Sequence, residues 1–147
     1  MNNKIRKRRT KVLVFGTFDL LHKGHIYFLK QARKFGDTLI AIVARDSSAM
    51  DLKNRKPRHG ERARLAAVRG IPGVSKTFLG DKILGSYSVL KKLQPDTICF
   101  GYDQYGLETD LRARMETGEL PRIKIIRLKA YKPEKFKTSI VAKYRDQ

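Results

Sequence analysis

The sequence predicts an α/β protein, a single doubly wound domain around a five-stranded parallel sheet, on three observations. Five short runs of apolar and β-branched character, at residues 11–15, 38–44, 74–79, 97–100 and 123–128, are largely continuous rather than alternating, as strands buried on both faces are. Segments with helical spacing separate them, which places helices over both sides of one sheet. Each run gives way at once to a stretch rich in glycine, aspartate or basic residues. In a parallel sheet those stretches gather at the carboxyl ends of the strands, where ligands bind. The chain has 147 residues, the length of one domain, and no repeat, low-complexity segment or linker divides it. The expected architecture is Rossmann-like.

The elements follow in order. Residues 1–10 are polar and basic and are expected to be flexible or loosely attached; the domain occupies 11–147. After the strand Val12-Leu13-Val14-Phe15, residues 24–35 read as a helix with Phe28, Leu29, Ala32 and Phe35 on its inner face. Gly36-Asp37 ends it, and 38–44 is the second strand. The stretch 45–60 has almost no apolar periodicity and reads as a long loop. Residues 61–69 look helical, Gly70-Ile71-Pro72-Gly73 is a turn, and 74–79 is the third strand. A short helix at 87–93 is stopped by Gln94-Pro95. The fourth strand at 97–100, a helix at 107–116, the fifth strand at 123–128 and a closing helix at 138–144 complete the chain.

Composition narrows the function classes. No apolar run approaches the roughly 20 residues of a membrane span, and the apolar stretch after the basic start is too short for a signal peptide. The lone Cys99 sits in an apolar run, reads as a small buried hydrophobe and fits a reducing cytoplasm. The 33 Lys and Arg against 14 Asp and Glu give a net charge of +19. A field of that sign attracts nucleoside triphosphates, phosphorylated acceptors, RNA or acidic membrane surfaces. Specific nucleic-acid binding is disfavoured, because the cations spread along the whole chain without interleaved aromatics. Incidental binding at low salt is expected, and the sequence does not decide between a monomer and a homodimer.

The chemistry concentrates in Gly16-Thr17-Phe18-Asp19-Leu20-Leu21-His22-Lys23-Gly24-His25. Two imidazoles and a glycine stand at a strand-to-helix junction, where free N–H groups and the positive helix end make an anion site. Read alone, His22 and His25 could simply cap the helix, or form a chance metal pair. Asp19 reads as a turn-stabilising acceptor rather than a ligand. The whole string resembles the nucleotidyltransferase family named for its His-x-Gly-His motif, which includes the glycerol-phosphate and ethanolamine-phosphate cytidylyltransferases and the archaeal-type FAD synthases. The resemblance implies transfer of a nucleoside monophosphate from a triphosphate to a phosphate-bearing acceptor, with pyrophosphate released. It implies that His22 and His25 donate to the phosphates and that Gly16, Thr17, Phe18 and Gly24 belong to the nucleotide site.

Further residues carry over from the same resemblance. Lys53, nine residues before Arg62, matches a pair that acts on the triphosphate in the cytidylyltransferases, so 45–60 is expected to be a lid. The family's Gly-x-Asp-Trp or Gly-x-x-Gln segment near the nucleotide matches Gly101, Asp103 and Gln104. Thr138 and Ser139 match hydroxyls that reach the triphosphate, although the cytidylyltransferase lead-in Arg-Thr-x-Gly-Ile is missing here. Ile42-Val43-Ala44-Arg45-Asp46, Asn54-Arg55-Lys56-Pro57, the Gly-x-x-Gln and the Arg-x-Lys-x-Tyr-Lys ending at Lys132 look like the FAD synthases. Pro133-Glu134 stands where those proteins often have a cysteine. This implies ATP and FMN as substrates, with Lys129, Tyr131 and Lys132 near the acceptor and Mg²⁺ or another divalent cation accompanying the nucleotide. The alternative is CTP with a small phosphorylated alcohol.

Overall fold

The computed structural model describes residues 8–53, 55–83 and 85–129. Its elements are β1 (Lys11–Gly16), α1 (Lys23–Arg33), β2 (Thr38–Val43), α2 (Asp46–Lys53), α3 (Glu61–Arg69), β3 (Lys76–Leu79), α4 (Ser88–Leu93), β4 (Thr97–Phe100), α5 (Tyr105–Glu116) and β5 (Lys124–Arg127). All four strand pairings are parallel, and the spatial order is β3-β2-β1-β4-β5. The chain winds outward from β1 to β3, then returns across the sheet to β4 and β5.

Successive side chains of a strand point to opposite faces, and both faces are covered. Val12 and Val14 of β1, with Leu39, Ala41 and Val43 of β2, pack against Leu29 and Ala32 of α1 and Val68 of α3. On the other face Leu13, Ile40, Ile42, Ile98 and Phe100 pack against Leu90 of α4 and Leu111 of α5. Cys99 is fully buried, and burial pushes its thiol up to about 11, so it is the inert hydrophobe the sequence suggested.

Three expectations change. Residues 46–53 form α2 within the stretch read as structureless. The helix starts where the Glu61 carboxylate accepts the Asp46 N–H, a cap supplied from outside the helix that periodicity cannot show. Phe35 lies beyond α1, which ends at Arg33, and is 41% exposed rather than facing the core. Residues 8–10 are tied to the fold, since Arg8 pairs with Asp96 and the Thr10 N–H bonds the Asp37 carboxylate. The expected helix at 138–144 lies outside the described residues. Among the described residues no helix is long and apolar enough to cross a membrane.

Glu108 of α5 is buried and accepts from Arg127 of β5 and Arg112. The Arg127 hydrogen bonds, then Arg112, hold its carboxyl below the ordinary 4.5. A carboxylate with a depressed folded pKa contributes stability that is complete above its unfolded value and is lost as pH falls through the folded one. Glu108→Gln therefore lowers stability at pH 7 by about 1–3 kcal/mol and flattens its fall below pH 4.5. Urea unfolding across that range measures both effects.

Candidate active site

The sheet order reverses between β1 and β4, and in open parallel sheets the crevice at such a switch point takes the ligand. Two sequence motifs flank it: the turn 16–22 leaving β1, and the loop 101–104 leaving β4. The Gln104 side chain bridges them. Its Nε2 donates to the Phe15 carbonyl at 2.7 Å and its Oε1 accepts the Gly101 N–H at 2.8 Å.

His22 is the N-cap of α1 and His25 its third residue, and the two cap each other reciprocally. His22 Nδ1 accepts the Gly24 N–H at 3.1 Å, and His25 Nδ1 accepts the His22 N–H at 3.3 Å. With Nδ1 accepting on both rings, the neutral imidazoles carry their protons on Nε2. The rings lie 4.0 Å apart and 35° from parallel, and His22 Nε2 is shielded from solvent. The reciprocal cap uses Nδ1 on both rings and leaves the two Nε2 atoms outside it. No acidic residue occupies the first turn of α1, so its positive end is not neutralised from within the helix.

The turn before α1 is unusual. Phe18 and Leu20 are buried and adopt left-handed backbone with φ of 55° and 52°, a conformation that costs non-glycine residues of order 1–3 kcal/mol. Phe18 is packing rather than open surface: its ring lies against Gly16 and sits 5.8 Å from the His25 ring. The buried Asp19 carboxylate accepts the N–H groups of Arg58 and His59 at 2.7 and 3.0 Å. This is the acceptor role the sequence suggested, with a partner far along the chain.

A second set of bonds ties the neighbouring loops together. Asp46 Oδ2 accepts the Glu61 N–H while Glu61 Oε1 accepts the Asp46 N–H, so the starts of α2 and α3 cap each other. Arg45 Nε donates to the Gly80 carbonyl at 2.7 Å. Arg64, 1% exposed, donates to the carbonyls of Thr17, Ala44 and His59 and to the Asp46 carboxylate. That hydrogen bond is the main reason the Asp46 carboxyl lies below the ordinary carboxylate range. Sequence reasoning missed Arg64, although a signal existed: Arg64 and Val68 are four apart, which places the arginine on the apolar face of α3. Arg62, the expected triphosphate ligand, is exposed, and two residues along a helix from Arg64 it points about the opposite way.

The remaining expected residues divide as follows. Thr17, Gly24, His22 and His25 meet at the β1–α1 junction, with Gly16 at the end of β1. Gly101, the exposed Asp103 and Gln104 stand beside them after β4, and the exposed Lys129 follows β5. Lys53 is the last residue of α2. Thr138, Ser139, Tyr131 and Lys132 lie outside the described residues.

A helix start presenting two histidines at the switch point of a parallel sheet is the kind of place where α/β proteins bind anions. A cytidylyltransferase-like family model matches residues 13–143. The FAD synthase of Pyrococcus abyssi is 39% identical over 137 residues, which cover 92% of each chain. The FAD synthase of Methanosarcina barkeri is 44% identical over 112 residues, 76% of this chain and 78% of that one. A solved structure described as the lipopolysaccharide core biosynthesis protein from Thermoplasma volcanium superposes with a TM-score of 0.77 at 34% identity, covering 84% of this chain and 99% of that one. The chain belongs to the cytidylyltransferase-like family.

Proposed function

We propose that this protein is an FMN adenylyltransferase, transferring AMP from ATP to FMN to give FAD and pyrophosphate. The observation that carries the reading is the pair of histidines that cap the start of α1 through Nδ1, beside the β1/β4 switch point of a chain related over most of its length to FAD synthases. An oxygen of the FMN phosphate attacks the α-phosphorus of ATP, and the bond from that phosphorus to the bridging oxygen of pyrophosphate breaks. The attacking phosphate is already an anion near neutral pH, so no general base is needed. Catalysis then rests on position and on charge stabilisation where pyrophosphate leaves. His25 and His22 act there, with Gly16, Thr17 and Gly24 shaping the turn and Phe18 supporting it from beneath.

Among the described residues no group of three His, Cys, Asp or Glu side chains is placed to hold a metal ion. The residues fit a divalent cation carried by the triphosphate, as Mg²⁺ usually is, with the exposed Asp103 as a carboxylate the rim can offer. Such an ion would neutralise phosphate charge. Lys129 follows β5, next to the loop after β4, and with Tyr131 and Lys132 forms the acceptor side of this reading; Thr138 and Ser139 serve the triphosphate.

The test is pyrophosphate release with ATP or CTP against a panel of acceptors that includes FMN, glycerol phosphate and phosphoethanolamine. FMN with ATP is the expected pair, with FAD recovered as product. The Thermoplasma neighbour carries a different description at similar identity. CMP transfer from CTP to a small phosphorylated alcohol, which the cytidylyltransferase-like family model suggests, is the reading that replaces this one if FMN neither binds nor reacts.

The lid reading places Lys53 and Arg62 over the triphosphate. Lys53→Ala and Arg62→Ala are each expected to lower turnover, and ATP is expected to slow proteolysis within 55–60. Separated cations repel until a polyanion bridges them. Equal cleavage with and without ATP removes the lid.

A further inference from the structure

Arg64 heads the largest fully buried side chains among the described residues, and it comes from the helix that follows the expected lid. Burying a guanidinium is costly unless its donors are satisfied, and these are. Nε donates to the His59 carbonyl at 2.9 Å, Nη1 to the carbonyls of Thr17 and Ala44 at 2.7 and 2.8 Å, and Nη2 to Asp46 Oδ1 at 2.8 Å. The four acceptors lie on four different segments: the turn after β1, the end of β2, the start of α2 and the loop before α3. A lysine carries three donors on one nitrogen and cannot reach acceptors spread around a planar fork.

The turn it grips is the strained one. Left-handed residues such as Phe18 and Leu20 persist only where surrounding contacts over-determine them. Arg64 fixes the Thr17 carbonyl, and across a planar trans peptide this also fixes the Phe18 N–H, which points the opposite way. From the other side Asp19 holds the N–H groups of Arg58 and His59. The peptides around His59 are therefore clamped twice, by Asp19 through their N–H groups and by Arg64 through the His59 carbonyl.

We propose that Arg64 is a positioning residue for nucleotidyl transfer: it locks the strained phosphate-binding turn to the base of the 55–60 loop, without touching substrate. Loss of the lock leaves the ligands present but loosely aimed. Its signature is a fall in kcat with little change in KM, and a loosened loop even in the ligand-free protein.

The experiment compares the full-length wild type with Arg64→Lys and Asp19→Asn. Thermal unfolding reports the fold, steady-state kinetics the split between kcat and KM, and timed trypsin digestion without nucleotide the Arg58–His59 bond. For Arg64→Lys we expect kcat down about 10- to 100-fold, KM for ATP within about threefold, and cleavage after Arg58 faster by tenfold or more. Asp19→Asn keeps one of the two loop bonds and should show the same signature in milder form, which serves the test if Arg64→Lys does not fold. Wild-type kcat with a protected loop in the folded variants overturns the proposal. So does a loss confined to KM for ATP, which would make Arg64 a nucleotide contact. The kinetic arm rests on the proposed reaction. Absence of wild-type turnover with ATP and FMN would overturn that reaction alone, and the ligand-free digestion would still decide the role of Arg64.

Discussion

Replacing His25 by alanine is expected, on the proposed function, to lower turnover of FMN with ATP by about 10²–10³-fold, the usual loss when one well-placed donor to a developing charge is removed. The protein stays folded, because His25 is only partly buried and lies outside both apolar clusters of the core. The same substitution also removes the acceptor for the His22 N–H, a loss worth about 0.5–2 kcal/mol in helix caps generally. His25→Asn separates the two roles. Its side-chain oxygen can accept the His22 N–H as Nδ1 does, but it has no ring N–H on the far side. We expect the asparagine variant to regain thermal stability without regaining turnover. Recovery of both in steady-state assays and melting curves would reduce His25 to a cap.

Gly16→Ala carries the second large effect, from a residue without a functional group. A Cβ there would stand 2.6 Å from Phe18 Cε2 and 2.7 Å from Cζ. The ring cannot simply swing away, since Phe18 is 4% exposed on left-handed backbone and packs against His25. Overpacking of this kind costs about 1–3 kcal/mol, and displacing the ring displaces the His25 imidazole with it. A shift of about 1 Å at reacting groups can cost up to 10²-fold in rate, so turnover should fall by tenfold or more beyond any effect of lower stability. Kinetics well below the melting temperature distinguish the two. Phe18→Leu added to Gly16→Ala makes room and should restore part of the lost stability. If Gly16→Ala melts and turns over like the wild type, the packing link between turn and histidine is refuted.

The central strands β1, β2 and β4 were legible because they are largely buried on both faces, so composition alone marks them, whereas the edge strands β3 and β5 are partly exposed and carry charged ends. Thr97–Phe100 and Glu61–Arg69 have the bounds expected from sequence. Helix α2 was not legible, because what starts it is a side chain fifteen residues away and its own residues are mostly polar. The histidines were visible as a motif, but the division of labour between their nitrogens needed coordinates. Arg62 drew attention by its spacing from Lys53, whereas Arg64 was passed over because a core arginine contradicts the ordinary rule that arginines stay exposed. That contradiction was itself the clue, since a charge on an apolar face must be held by partners elsewhere in the chain.

The cross-bonding around β1, β2 and β3 has a consequence for how this enzyme's relatives can diverge. Thr17, Asp46, Glu61 and Arg64 are joined by hydrogen bonds, Asp19 joins them through His59, and Arg45 pairs with Glu61, so a change at one disturbs the others. Tyr102 and Tyr105 after β4 are 43% and 68% exposed, and Lys129 after β5 is exposed too. On the proposed reading the bonded half of the rim serves the leaving group, and substitutions at the exposed positions after β4 and β5 are the ones expected to change the acceptor.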